Sequence, residues 1–284
     1  MATILKGAPV VSAMNRDSAA RCAALTAKNI LPTLAIVRLG ARDDDLSYEA
    51  GVMKRCAKVG VAVRQFLLPE DTELSALLDT IAQINDDDSI HGCLLFRPLP
   101  KHLDDSAVRA ALDPAKDIDG ITDASLAGVF TNTHTGFAPC TAQACLEILH
   151  HYQAPLSGKR VTVVGRSLVV GKPAAMLLDK DNATVTMCNS RTQDLPSVCR
   201  QADVLVVAMG KPKAIGADCL RPGQIVVDVG IHADAEGSLC GDVDFDAAEP
   251  IVEGITPVPG GVGTVTNSVL VQHVIEAAER ITAE

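Results

Sequence analysis

The sequence predicts an α/β protein of two α/β domains, the second a doubly wound, mainly parallel sheet. Three observations carry this expectation. Strand-like and helix-like segments alternate along the chain, the order that builds a parallel sheet with helices on its faces. The strand-like segments are short aliphatic runs in a chain with five Phe, two Tyr and no Trp, as strands buried on both faces require. A glycine-bearing stretch, "VVGRSLVVGKP" (163–173), joins one such strand to a helix, the place where doubly wound sheets bind ligands. The 284 residues exceed one ordinary core and fit two domains.

Taken in order, "TLAIVRLG" (33–40) reads as a buried strand. "DLSYEAGVMKRCAKVG" (45–60) reads as a helix, with Leu46, Ala50, Met53 and Ala57 on one apolar face. "VAVRQFLLP" (61–69) is a strand, "TELSALLDTIAQIN" (72–85) a helix with Thr72 and Ser75 in its cap region, and "IHGCLLF" (90–96) a strand stopped by "RPLP". An irregular stretch rich in Asp, Thr and Gly follows, and a functional loop and the domain boundary are placed there. "AQACLEILHHY" (142–152) reads as a connecting helix. The second series has strands at 160–165, 183–188, 204–210, 224–231 and 254–256, and helices at 170–180, 195–202 and 267–281.

The charge balance, 25 basic against 35 acidic residues for a net −10, repels phosphate backbones and argues against nucleic-acid binding. No apolar run approaches the roughly 20 residues of a membrane helix. The patch "APVVSAM" contains Pro9 and follows only Lys6, so no secretory signal is expected. Nine cysteines without a C-x-x-C pair, Cys140 and Cys145 being the closest two, fit no common zinc site. They suggest reduced thiols in a cytoplasmic protein, and no metal is expected.

Three motifs point to chemistry. In the first, Gly165 permits a sharp turn without side-chain bulk, Gly171 permits close packing of helix on strand, and Arg166 and Ser167 can donate to phosphate oxygens. The spacing is G-x5-G, not the usual G-x-G-x-x-G, so spacing alone leaves a phosphate grip and a structural turn both open. In the second, "CNSRT" (188–192), Ser190, Arg191 and Thr192 follow the next strand, where an adenosine ribose is met. They suit a 2′-phosphate, whereas an acidic residue would favour NAD; a plain solvated arginine is the alternative. In the third, "PVPGGVGTVT" (257–266), constrained prolines and clustered glycines bare backbone N–H groups for a flat ligand.

With these motifs the chain resembles the methylenetetrahydrofolate dehydrogenase/methenyltetrahydrofolate cyclohydrolase family, over nearly its whole length. "KDIDGIT" (116–122), "PCTAQACLEIL" (139–149), "ADVLVVAMGKP" (202–212) and "VVDVGI" (226–231) match in order as well. The resemblance implies a folate-binding first domain of residues 1–138 and 265–284, a Rossmann-type, dinucleotide-binding second domain of residues 139–264, a cleft between them, a C-terminal helix returning to the first domain, and a homodimer. It implies hydride transfer from methylenetetrahydrofolate to NADP, with NAD the alternative cofactor, and in many members hydrolysis of the methenyl product. Carried over by position, Tyr48, Val52, Phe96, Asp119, Gly260 and Gly261 fall at the substrate, with Tyr48 and Asp119 as the catalytic candidates. Gly165, Arg166, Ser167, Gly171, Ser190, Arg191, Ile231 and Thr266 fall at the cofactor.

The chain departs from the family pattern at two polar positions. Val52 stands where the family has a lysine, and Phe96 where it has a glutamine; Asp119 keeps the acidic position. Asn189 stands where a histidine is common, and Thr264 and Val265 replace a Pro-Met pair. Lys54 and Arg97 are the candidate substitutes for the missing polar groups, although about 100° per residue puts Lys54 far around the helix from Val52. Hydride loss moves no proton and needs positioning. Hydrolysis activates water and expels an amine, which needs acid–base help that valine cannot supply. The expectation is a dehydrogenase with weak or absent cyclohydrolase activity. The alternatives are a bifunctional enzyme rescued by Lys54 or Arg97, and a folate- or nucleotide-binding protein without catalysis.

Overall fold

The computed structural model describes residues 1–233 and 237–281. The chain falls into two compact units: a first comprising Ala13–Cys140 and Asn267–Glu284, and a second comprising Met1–Ser12 and Thr141–Thr266. The expected first domain included residues 1–138 and 265–284, of which 282–284 lie outside the described residues. The units instead part at 140/141 and 266/267, and the first dozen residues join the second unit. The reason is strand pairing: β1 (Thr3–Ile4) pairs in parallel with Gly254–Ile255.

The helix that follows, α1 (Gly7–Thr26), is absent from the sequence reading. Its Pro9 lies in the first turn, where a missing N–H costs nothing. Val11, Met14, Ser18, Cys22 and Leu25 are its buried stripe, at helical spacing.

In the first unit, β2 (Thr33–Leu39), α2 (Asp43–Val59), β3 (Ala62–Leu68), α3 (Leu74–Asp86) and β4 (Gly92–Leu95) build a parallel sheet of order β3-β2-β4. All seven residues of β2 are buried, as its aliphatic run requires. The helix α2 forms, but not with the expected face. Leu46 and Met53 keep 41% and 38% of their surface exposed, while Asp45, Glu49, Val52, Cys56 and Val59 face inward. Two ion pairs explain the reversal. Arg42 holds Asp45 bidentately at 2.9 and 2.8 Å, and Arg38 holds Glu49 at 2.6 Å, so charge is buried already paired. The Thr72/Ser75 cap is also not realised: the N-cap of α3 is Glu73 without a side-chain cap bond, and Thr72 donates instead to Pro69 O. Two short helices, α4 (Asp105–Ala111) and α5 (Asp123–Thr131), lie in the stretch read as irregular. Each is started by a side chain that accepts from its first turn, Asp104 and Thr122 respectively.

The helix α6 (Cys140–His151) leads into the second unit. There β5 (Arg160–Val164), α7 (Gly171–Lys180), β6 (Thr184–Cys188), α8 (Leu195–Gln201), β7 (Val204–Val207) and β8 (Ile225–Asp228) follow in order. After them come β9 (His232–Ala233), β10 (Leu239–Cys240), α9 (Phe245–Ala248) and β11 (Gly254–Ile255). The main sheet is parallel throughout, in the order β1-β11-β8-β7-β5-β6. From β5 the chain goes to β6 on one side and then to β7 on the other. The strand order therefore reverses between β5 and β7, which makes the crevice above their C-terminal ends the ligand position. The last helix, α10 (Val262–Ile281), begins before the expected residue 267. From Asn267 it belongs to the first unit, where Val274 meets Gly92 and His273 meets Phe137.

Candidate active site

In the first unit, four segments bring the substrate candidates together. Tyr48 lies on α2, and its ring meets Phe96, just beyond β4, edge to face with centroids 5.6 Å apart. Burial, with Asp119 and Cys140 nearby, holds the Tyr48 phenol well above its ordinary value, so Tyr48 is a neutral donor. Asp119 is half-buried, and burial pushes its carboxyl up to about 6 against the opposing pull of the Cys140 thiol and Arg97. Burial also keeps Cys140 a neutral thiol.

The segment "KDIDG" shows why each of its residues is present. Lys116, 5% exposed, donates to Ile84 O, Asn85 O and Asp87 O at 2.7, 2.7 and 2.9 Å, satisfying the carbonyls at the end of α3. Asp117 is fully enclosed and accepts from Ile121 N, Thr122 N and Ser125 Oγ. Ile118 O accepts from His273 Nδ1 at 2.8 Å and Cys140 Sγ at 3.2 Å. Gly120 turns at φ +66°, and a Cβ there would stand 2.5 Å from Pro139 N. The flanking residues thus fix the loop, and Asp119 is the one whose carboxyl is spared for a ligand.

Two substrate candidates are more enclosed than expected. Val52 was expected to line the substrate site, yet it is fully buried at 0% exposure, because it lies on the inward face of α2 with Cys56. Phe96 is 7% exposed and packs its ring edge on Tyr48. The candidate substitutes do not take the place of the missing amine. Lys54 is exposed, off the face shared by Tyr48 and Val52. Arg97 is held bidentately by Asp105 at 2.7 and 2.6 Å. A groove of about 1210 Å³ in this unit is walled by Phe96, Pro98, Leu99 and Pro100.

In the second unit, Gly165 ends β5 at φ +137°, and a Cβ on it would overlap Ala208 O beyond β7. Only glycine fits, because the crevice between β5 and β7 is closed down to backbone. A Cβ on Gly171 would fall on the Gly165–Arg166 peptide, so this glycine serves the tight start of α7. Ser167 Oγ accepts from Val170 N and Gly171 N at 3.1 and 3.4 Å, which leaves its hydroxyl hydrogen for another acceptor. After β6 the turn is tied by Asn189 Oδ1, accepting from Arg191 N, and Thr192 Oγ1, accepting from Asn189 N. Ser190 and Arg191 are left exposed. Arg166 and Arg191 have no carboxylate partner among the described residues, whereas Arg21, Arg38, Arg97, Arg109 and Arg221 are all paired. Ile231, 61% exposed, follows β8. Gly260, at φ +103°, is exposed, and Gly261 is packed on Pro257 O. Thr266 donates to Val262 O within α10. A glycine-only crevice flanked by unpaired arginines at adjacent strand ends fits a dinucleotide's phosphates.

Residues 5–119 match the tetrahydrofolate dehydrogenase/cyclohydrolase catalytic domain, and residues 139–282 match the corresponding NAD(P)-binding domain. The chain belongs to the tetrahydrofolate dehydrogenase/cyclohydrolase family. It is 50% identical over 281 residues, 98% of each chain, to the bifunctional protein FolD of Carboxydothermus hydrogenoformans. Against the bifunctional protein FolD of Clostridioides difficile the identity is 45% over 276 residues, 97% of this chain and 96% of that one. Among solved structures, the bifunctional FolD of Campylobacter jejuni superposes with a TM-score of 0.95 at 32% identity, covering 99% of this chain and 100% of that one. The Trypanosoma brucei dehydrogenase-cyclohydrolase, complexed with NADP cofactor and inhibitor, gives 0.92 at 32% identity and covers 100% and 99%.

Sequence reasoning passed over His273, Cys140, Asp228 and Asp242. His273 and Cys140 both bond Ile118 O, the carbonyl before Asp119, a contact made by sites far apart in the chain. Among the described residues no cluster of His, Cys, Asp or Glu could hold a metal, and no helix is long and apolar enough to cross a membrane.

Proposed function

We propose that this chain oxidises methylenetetrahydrofolate to methenyltetrahydrofolate with NADP as hydride acceptor, and hydrolyses the product weakly or not at all. The observation that carries the second half is the environment of Tyr48 and Asp119. The residue one turn beyond Tyr48 is the enclosed Val52, Lys54 is exposed elsewhere on the helix, and Arg97 is held by Asp105. Among the described residues, neither candidate cation stands with the tyrosine to move protons during ring opening.

Oxidation asks less of these residues. The nicotinamide supplies the hydride-accepting carbon when bound. Asp119, ionised above about pH 6, accepts hydrogen bonds from the pterin's donors and fixes its orientation; Tyr48 offers a neutral hydroxyl and a ring face. Gly260, exposed at φ +103°, offers bare backbone to a flat ligand. Arg166, Ser167 and the tight Gly165–Gly171 turn hold the phosphates. Ser190 and Arg191, without an acidic neighbour in their turn, favour the 2′-phosphate of NADP over NAD. A homodimer in the cytoplasm belongs to the same reading and rests on the family resemblance.

A second reading, full bifunctionality, is favoured by the relatives at 45–50% identity that carry the bifunctional name. One experiment separates the two. Purified protein is given methylenetetrahydrofolate with NADP or NAD, and separately methenyltetrahydrofolate alone. Cofactor reduction with NADP, and methenyl decay no faster than the uncatalysed rate, is the expected result. Enzyme-dependent decay comparable with hydride transfer refutes the single-activity reading, and no cofactor reduction refutes the dehydrogenase.

A further inference from the structure

The loops beyond β7 and β8 are tied together by a pair of residues to which the reaction above assigns no part. Asp242 is fully buried. Its carboxylate accepts from Met209 N, Gly210 N and Lys211 N at 2.5, 3.0 and 2.7 Å, all in the loop that follows β7. His232 Nε2 stands 2.7 Å from the same carboxylate; a carboxylate only accepts, so Nε2 carries the proton. His232 is the next residue after Ile231, whose side chain is 61% exposed beyond β8.

A second carboxylate closes the frame. Asp228 Oδ1 accepts from Gly230 N and Asp242 N, and its Oδ2 accepts from Val243 N. A Cβ on Gly230 would stand 2.5 Å from Asp242 Cγ. The segment 228–232 is therefore held at both ends by carboxylates, with Ile231 carried between them. The backbone N–H nest after β7 is filled by Asp242 as a resident anion, which leaves phosphates to the loops after β5 and β6.

We propose that Asp242 and His232 are positioning residues for hydride transfer: they fix the loop after β7 against the segment after β8 and so set where Ile231, the residue assigned to the cofactor, bears on the bound nucleotide. This rests on the reading that the second unit binds the nucleotide. Hydride transfer depends steeply on the distance and angle between donor and acceptor carbons, so a loosened support slows chemistry more than it weakens binding.

The test compares wild type, His232→Leu and His232→Asn, with Asp242→Asn as a further variant, using methylenetetrahydrofolate carrying deuterium or hydrogen at the methylene carbon. Folded fraction is measured for each by circular dichroism and active-site titration. His232→Leu is expected to lower kcat about tenfold and to raise the primary isotope effect, while KM for the folate stays within about twofold. His232→Asn, which retains a side-chain N–H, recovers most of the rate. A loss that merely follows the folded fraction, with the isotope effect unmoved, overturns the proposal, as does a His232→Leu enzyme with wild-type kcat. If the wild type itself transfers no hydride, the dehydrogenase reading fails and this proposal falls with it; an active wild type with unaffected variants sinks the proposal alone.

Discussion

Replacing Asp119 with asparagine separates what this residue does for binding from what it costs the fold. Burial lifts its carboxyl from the ordinary 3.8 to about 6. That rise corresponds to about 3 kcal/mol by which the folded state disfavours the charged form. The sign follows from the direction: with the folded value above the unfolded one, the protein is most stable with Asp119 protonated. That stability is lost as pH rises from about 4 through about 6. Asparagine removes the charge but keeps part of the polar burial, so a gain of about 1–2 kcal/mol is expected well above pH 6, shrinking towards zero below about pH 4. Binding moves the other way. A carboxylate accepting from the pterin contributes about 1.5–3 kcal/mol more than its loss allows, so kcat/KM for the folate falls about 10- to 150-fold. In the wild type kcat/KM declines below about pH 6 as Asp119 takes up a proton, while the Asp119→Asn profile lacks that limb. Denaturant titrations at several pH values, alongside folate kinetics, read both effects. An Asp119→Asn protein that is less stable than wild type above pH 6, or one with unchanged folate kcat/KM, refutes the reasoning.

Three further outcomes are expected. Gly165→Ala forces a side chain into a positive-φ position and onto Ala208 O. It should cost about 1–3 kcal/mol of stability and raise KM for NADP well above that for the folate, measured by melting and steady-state kinetics. Arg191→Ala should raise KM for NADP about tenfold and leave KM for NAD unchanged, with equal effects on both cofactors counting against a 2′-phosphate contact. Lys116→Met orphans three carbonyls at the end of α3 and should cost about 3 kcal/mol, read as a lower denaturant midpoint; an unchanged midpoint contradicts the capping role.

Much of the architecture was legible because aliphatic runs and glycine turns are local signals. Strands β2 to β8 lie where Val, Ile and Leu cluster, and the crevice at Gly165 lies where the glycine loop predicted it. What escaped depends on partners remote in the chain. The buried face of α2 was misassigned because Asp45 and Glu49 are buried with Arg42 and Arg38, pairs that no apolar periodicity registers. The helix α1 was obscured by Pro9, which the first turn tolerates. Of the candidate site residues, Tyr48 and Asp119 were named from sequence, and the fold brings them near one another. The inward burial of Val52 and the hold of His273 and Cys140 on Ile118 O required the fold. The carboxylate frame of Asp228 and Asp242 was likewise invisible, since its donors are backbone N–H groups of three separate loops.

The central claim is that this chain transfers hydride without efficient ring hydrolysis, and the most direct measurement follows both products in one reaction. With methylenetetrahydrofolate and NADP supplied together, reduced cofactor and methenyltetrahydrofolate should accumulate in equal amounts, with formyltetrahydrofolate appearing only at the rate of the enzyme-free control. Reduced cofactor accompanied by stoichiometric formyltetrahydrofolate, formed as fast as the methenyl compound is made, would contradict it.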